Sequence, residues 1–251
     1  MPNTRQLMTK VPAVTAYFWI IKVLSTTVGE TFADYLNSTL GFGLTGTTWA
    51  MTAVLAVLLA VQFSTRRYMP AVYWPTIVAI STVGTLITDS MHDGLGVENW
   101  QAIIGFGLAL IATFVLWFRR EGTLQMKSIN SRSREAFYWV AILMTFALGT
   151  AGGDIFLDDF GLPLLSTFIG FAVAIALVTL AWRLKWLGGV SAFWIAYVLT
   201  RPLGAALGDL LSQPRADTGL GLGATTTSLI FLVAIAALVS FLGITKRDQI
   251  K

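Results

Sequence analysis

Four aspartates occupy the same position in a pattern that repeats along the sequence. Each lies fifteen residues after a tryptophan and five residues after a glycine. Carboxylate oxygens are hard ligands, and the chain has no cysteine and only one histidine. We therefore expect a hard cation (Mn²⁺, Mg²⁺, Ca²⁺, Na⁺ or H⁺) at such a site rather than Zn²⁺ or Cu⁺. The four sets are Trp19/Gly29/Asp34, Trp74/Gly84/Asp89, Trp139/Gly149/Asp154 and Trp194/Gly204/Asp209.

Charged residues inside the first and last repeats form a second group of candidates. Glu30 lies four residues before Asp34, so the two carboxylates share one face of a helix. We predict that Glu30 and the four aspartates bind the ion, and that the aspartates act as metal ligands. The alternative is structural: Glu30 forms a buried ion pair with Lys22 or Arg201, and the aspartates cap or bond neighbouring helices. The residues predicted to gate or couple ion movement are Lys22, Arg201, Thr26 and Thr27.

The elements that must position these residues are membrane-spanning helices. Apolar residues make up 55% of the sequence and charged residues only 12%, about half the share in soluble domains. Apolar stretches of about 20 residues are long enough to cross a bilayer. The sequence therefore predicts an all-α membrane protein, a single integral domain over residues 1–251 with internal halves 1–125 and 126–251. The eight predicted spans are 13–35, 42–63, 71–91, 101–118, 136–157, 163–182, 190–211 and 222–243.

The positions of the charged residues predict the topology. Of the 17 basic residues, 14 lie in the two terminal tails or in the links after spans 2, 4 and 6. By the positive-inside rule, both termini and these links are cytoplasmic, in a multi-pass protein of the inner (plasma) membrane. Ten of the 13 acidic residues lie at the opposite side, where they create a negative field: Glu30, Asp34, Asp89, Asp93, Glu98, Asp154, Asp158, Asp159, Asp209 and Asp217.

Each repeat is expected to be one helical hairpin that begins and ends on the cytoplasmic side, so the four hairpins are parallel. The odd spans carry the pattern and are predicted to form a central bundle, while the even spans face lipid. Each tryptophan, at the start of an odd span, is expected to anchor at the lipid headgroups. The repeats cover about 13–63, 71–118, 136–182 and 190–243, and their small residues for helix packing are Gly29, Gly84, Gly149, Gly153, Gly204 and Gly208.

The fourfold pattern, including the segments Gly-Thr-Ala-Gly-Gly-Asp and Pro-Leu-Gly-Ala-Ala-Leu-Gly-Asp, resembles a bacterial family of multi-pass proteins. That family has four copies of a repeat of unknown function and is also described as an uncharacterised membrane-anchored protein. The resemblance covers almost the whole chain. It implies an eight-span inner-membrane protein and supplies no activity.

The leading functional prediction is a transporter for a small hard cation, with divalent Mn²⁺ or Mg²⁺ favoured. The alternatives are a proton-coupled carrier of a small organic solute, with Glu30 as the proton site, and a structural or sensory membrane module. The sequence contains no Walker A, Gly-x-Ser-x-Gly or His-Glu-x-x-His motif, so we expect neither an enzyme nor a cofactor. The expected partners are the cation, the lipid bilayer and possible further copies of the chain, but not nucleic acid.

Overall fold

The computed structural model describes residues 9–249, and eight long α-helices form most of this part of the chain. Residues 1–8 and 250–251, which the topology prediction assigns to the cytoplasm, lie outside the described residues. Each predicted span coincides with one helix. The helices are α1 (Ala16–Asp34), α2 (Gly43–Ser64), α3 (Pro70–Leu95), α4 (Asn99–Glu121), α5 (Arg132–Asp154), α6 (Leu164–Arg183), α7 (Gly189–Ser212) and α8 (Ala224–Thr245).

Four short helical turns extend or connect these helices. Directly after α1 and α5, the chain continues into π-helical turns at Tyr35–Thr39 and Ile155–Asp159. Two 3₁₀ turns, Met126–Ser128 and Arg215–Asp217, lie in the links before α5 and α8. Within residues 9–249 there is no β-strand, so the prediction of an all-helical chain is confirmed there.

Helix boundaries follow local sequence signals. The hydroxyls of Thr15 and Ser131 accept hydrogen bonds from backbone N–H groups in the first turns of α1 and α5. Glu98 forms a capping box at the start of α4. Gly96 and Gly122 end α3 and α4 with φ of 66° and 71°, a left-handed conformation that glycine adopts without strain.

Seven of the eight helices are long and apolar enough to cross a membrane. The exception is α1, which contains Lys22, Glu30 and Asp34. In the most apolar stretch of α2, α4, α6 and α8, only 11–22% of residues are buried inside the protein, against 50–72% for α3, α5 and α7. The even helices therefore form an outer layer with apolar exposed surfaces.

Helices α1, α3, α5 and α7 form a closed ring of contacts. Helix α1 packs against α3 and α7, and α5 packs against the same two helices. Each even helix makes its most extensive contacts with the next odd helix: α2 with α3, α4 with α5, α6 with α7, and α8 with α1. Among the described residues, the two helices of one sequence repeat make few direct contacts. The two helices of one sequence repeat are therefore not the two helices that pack against each other.

The glycines of the repeated pattern lie where neighbouring helices of this ring cross. A Cβ atom added at Gly204 would overlap the side chain of Thr26 on α1, and one added at Gly149 would overlap Arg201 on α7. The backbones can approach this closely because glycine has no side chain. The remaining contacts are Gly29 with Ser81, Gly84 with Phe146, Gly153 with Pro202, and Gly208 with Thr31.

Aromatic rings join the four inner helices at the ends where these helices begin. This aromatic cluster consists of Phe18, Tyr73, Trp74, Tyr138, Trp194 and Tyr197. The tryptophans of the pattern in α3, α5 and α7 are only 0%, 3% and 5% exposed. The prediction that they anchor at lipid headgroups is therefore wrong, because these side chains point into the bundle and pack against one another.

Candidate functional site

An acidic pocket of about 480 Å³ lies at the end of the bundle opposite the aromatic cluster. The carboxyl-terminal parts of α1, α5 and α7 form its walls, with the link between α5 and α6 and the 3₁₀ turn before α8. Apart from Gln213 and Thr218, its polar side chains are all carboxylates. We define the acidic pocket by these six: Glu30, Asp34, Asp154, Asp158, Asp209 and Asp217.

Two π-helical turns shape the rim of the acidic pocket. Asp34 and Asp154 are the last residues of α1 and α5, and each is followed at once by a π turn. A π turn locally widens a helix and is frequent at functional sites. Asp158 lies in the second π turn, four residues after Asp154, and both residues line the pocket.

Glu30, which lines the acidic pocket, contacts a buried arginine and a buried hydroxyl. Arg201 donates from Nη2 to Oε2 of Glu30 over 2.6 Å, and the same nitrogen donates to the hydroxyl of Thr85. The Arg201 side chain is fully buried, whereas 15% of the Glu30 side chain is exposed. Glu30 therefore lies between the pocket and a buried positive charge.

Part of the Arg201 guanidinium has no acceptor. Its Nε and Nη1 have no hydrogen-bond partner among residues 9–249, although both atoms are buried. The pair with Glu30 uses only Nη2, so two nitrogens carry buried donors that a second polar group could satisfy.

Lys22 lies on the other side of this ion pair from the pocket, in an aromatic environment. Its Nζ is 4.1 Å from the ring centre of Phe146 and 4.3 Å from that of Tyr197. The residue is 1% exposed, and its Nζ has no hydrogen-bond partner in the described part of the chain. Tyr197 lies one helical turn before Arg201 on α7. Lys22 and Arg201 are therefore on neighbouring levels of the bundle.

Besides Lys22 and Arg201, three of the predicted binding and coupling residues do not line the acidic pocket. Thr26 donates to the carbonyl of Val23 at 2.6 Å and approaches the carbonyl of Thr200 at 3.2 Å. Thr27 also donates to Val23, at 3.1 Å. Both threonines are buried in the contact of α1 with α7. Asp89 is half-buried on α3 and does not line the pocket.

The acidic side chains do not converge as a metal cluster. Within residues 9–249, no group of three or more His, Cys, Asp or Glu side chains is arranged to hold a metal ion. The expected ion-binding set is thus divided: Glu30, Asp34, Asp154 and Asp209 line one pocket, and Asp89 lies outside it. Asp158 and Asp217 join the pocket although the repeated pattern does not contain them.

The opposite end of the bundle is closed by buried polar contacts as well as by the aromatic cluster. Lys10 forms a 2.6 Å ion pair with Glu135, whose other oxygen accepts from Gln62 at 3.1 Å. The hydroxyl of Tyr68 donates to Oδ2 of Asp248. Burial raises the pKa of both Tyr68 and Asp248 above their ordinary values. We call the contacts of these five residues the polar latch.

Four segments of the chain match one protein-family model: 17–68, 72–123, 137–185 and 192–248. They agree closely with the four predicted repeats, so the prediction of a fourfold repeat is confirmed. No curated protein and no solved structure matches the chain. Because the matches cover most of its length, the chain belongs to the family described as Repeat of Unknown Function (DUF347).

Proposed function

We propose that this protein is a membrane carrier for a small cation that binds in the acidic pocket. The proposed arrangement has eight spans, with α1 included, as four parallel hairpin repeats around a bundle of α1, α3, α5 and α7. The termini and the links after α2, α4 and α6 lie in the cytoplasm. Seven apolar helices and the distribution of basic residues support this topology. The acidic pocket then opens away from the cytoplasm.

The observation that carries the proposal is the concentration of six carboxylates around one pocket, with Arg201 beneath them as the counter-charge. A concave surface lined by one sign of charge raises the local concentration of the opposite ion. Carboxylates at the edge of the hydrocarbon region are costly, and such residues usually mark an ion or substrate pathway.

The shape of the pocket favours an organic cation over a bare metal ion. A volume of about 480 Å³ falls in the range of pockets for small molecules, about 300–1,000 Å³. Among the described residues, no three carboxylates are arranged to hold one metal ion. A protonated amine, which needs only nearby carboxylates as hydrogen-bond acceptors, fits this geometry best.

A hydrated divalent cation is the second candidate. Besides the amide nitrogen of Gln213, the polar side chains of the pocket offer oxygen atoms only, and oxygen is the ligand that Mg²⁺ and Mn²⁺ prefer. Mg²⁺ releases its water molecules reluctantly, so carboxylates arranged at a distance from one another can hold it through its hydration shell.

Glu30 is placed to couple binding to movement. Its carboxylate can bond either to Arg201 below or to a cation above, because it faces both. A bound cation, or a proton, that competes for Glu30 weakens the contact of α1 with α7. The polar latch and the aromatic cluster close the other end, so transport requires that end to open while the pocket closes.

The test is cation binding and uptake in purified protein. Thermal unfolding in detergent is measured with putrescine, MgCl₂, MnCl₂ and NaCl, and uptake of radiolabelled putrescine and Mn²⁺ is measured in proteoliposomes. The variants are Asp154→Asn and Asp209→Asn. The control is Asp93→Asn, since Asp93 is exposed on α3 and does not line the pocket.

We expect putrescine to raise the unfolding temperature of the wild type and of Asp93→Asn, and this shift to be lost in both pocket variants. Stabilisation by Mg²⁺ or Mn²⁺ alone would select the second candidate. If no cation stabilises the protein and the pocket variants transport as the wild type does, the carrier proposal is wrong.

A further inference from the structure

A groove runs along the outer surface of α7, between α1 and α6. Its volume is about 370 Å³, and it extends along α7 from Gly189 to Leu203. At 1.5 Å per residue this is about 21 Å, more than half of the ~30 Å hydrocarbon thickness of a bilayer. Its lining is almost entirely apolar, with Val23, Ile175, Val178, Ala196 and Leu203 among the wall residues.

The groove continues into a second cavity at the end of the bundle where α7 begins. This cavity has a volume of about 580 Å³ and shares Val14, Gly189 and Phe193 with the groove. Its other walls come from the segment before α1 and from the link between α4 and α5, which contributes Gln125 and Lys127. The combined groove therefore has a long apolar part and a short polar part.

The polar part is basic. Lys127 is exposed and forms no ion pair with any residue in the range 9–249. Arg183 lies at the end of α6, and its Cζ is 5.6 Å from the ring centre of Trp182, which lines the groove. Within residues 9–249, no acidic residue lines either cavity, and the first turn of α7 contains none.

We propose that the combined groove is a binding site for an anionic phospholipid. The acyl chain packs along α7 between α1 and α6, and the phosphate group lies beside Lys127. An apolar part as long as one leaflet that ends in uncompensated positive charge matches a lipid of this class in length and charge. Trp182, which is 47% exposed, lies at the depth where tryptophan favours the membrane interface.

A lipid can occupy the combined groove only if α7 spans a membrane, whatever the acidic pocket binds. The site is distinct from the general lipid layer around the even helices, because it is formed between three helices and a basic link. A lipid bound here stabilises the contact of α1 with the pair formed by α6 and α7.

The experiment is native mass spectrometry of the full chain, purified in mild detergent and incubated with phosphatidylglycerol or phosphatidylcholine. Ala196→Trp and Val178→Trp each place an indole in the apolar part, and Lys127→Gln removes the charge from the polar part. The control for added bulk is Val173→Trp, on an exposed surface of α6. The control for lost charge is Arg66→Gln, on the exposed link after α2.

We expect the wild type and both controls to retain one phosphatidylglycerol molecule per chain. The two tryptophan variants should lose it, and Lys127→Gln should bind it about fivefold more weakly, the effect of one basic residue near an anionic lipid. Unfolding temperatures close to that of the wild type establish that each variant is folded. Equal retention of both lipids, or equal loss in the control variants, would show that only the general lipid layer is bound and would overturn the proposal.

Discussion

Arg201 on α7 and Glu30 on α1 form an ion pair although they are 171 positions apart in the sequence. The pair joins the last repeat to the first, at the crossing where Gly204 allows α7 to approach α1. Among residues 9–249, none of the other three crossings of the ring contains an ion pair. The asymmetry of the fourfold structure is therefore concentrated at the contact that closes the ring.

Replacement of Glu30 by glutamine should destabilise the protein strongly, because it leaves the Arg201 guanidinium buried without a counter-charge. Loss of one partner of a buried pair typically costs about 3–5 kcal/mol. We expect the lower part of this range, since the Glu30 side chain is partly exposed. The measurement is thermal unfolding in detergent.

The control is the double variant Glu30→Gln/Arg201→Gln, which removes both charges and should recover most of the lost stability. A double variant as unstable as Glu30→Gln would contradict this prediction, since it would show that the charge of Arg201 is not the cause.

Replacement of Gly204 by alanine should separate α7 from α1. The added methyl group would overlap the Thr26 side chain, and overpacking of this kind costs about 1–3 kcal/mol. Gly170 is the matched control, because it lies in a helix, and a Cβ there meets no atom of residues 9–249 within 4 Å. We expect Gly170→Ala to be neutral or slightly stabilising and Gly204→Ala to lower the unfolding temperature.

Replacement of Lys22 by methionine should lower cation uptake without lowering stability. The side chain is surrounded by Phe146 and Tyr197, and a buried charge can often be replaced by an apolar residue of similar size without loss of stability. We expect an unfolding temperature equal to or above that of the wild type, and uptake in proteoliposomes at least about tenfold lower. Unchanged uptake would show that Lys22 is not needed to couple ion movement.

The burial of Asp248 should make stability depend on pH. Burial raises the pKa of Asp248 in the folded protein above the value of about 3.9 in an unfolded chain. A raised pKa means that the folded state binds the proton more tightly, so stability falls as pH rises from the unfolded value through the folded one.

Asp248→Asn removes this titration and keeps an oxygen that can accept from Tyr68. We expect its unfolding temperature to vary less between about pH 4 and pH 7, with Asp93→Asn behaving as the wild type does. A variant with the same pH dependence as the wild type would show that another group is responsible.

The sequence predicted the elements of this structure better than their pairing. Each span coincides with one helix, and the repeat boundaries agree with the family matches. The periodic pattern could not indicate that α2 packs on α3 rather than on α1. The even helices are apolar on all sides, and short links precede and follow α2. Neither feature favours one neighbour over the other.

The candidate site was predicted only in part, for a related reason. The pattern treats its four aspartates as equivalent, but Asp34 and Asp154 precede π turns. Asp89 and Asp209 lie inside regular helices, and of these two only Asp209 lines the pocket. Asp158 belongs to one of these turns, and its distance of four residues from Asp154 was a usable signal. Asp217 comes from a link outside the pattern, and nothing in its spacing placed it near the pocket.

The pairing of each outer helix with the inner helix of the next repeat has a consequence for chain connectivity. Helix α8 completes the series by covering α1, and the backbone N–H of Ala13 donates to the carbonyl of Asp248 at 2.7 Å. Both ends of the described chain thus lie side by side. A circular permutant, with these ends joined and the chain opened in the link between α4 and α5, would keep every helix contact. The fold therefore does not depend on which repeat comes first in the sequence.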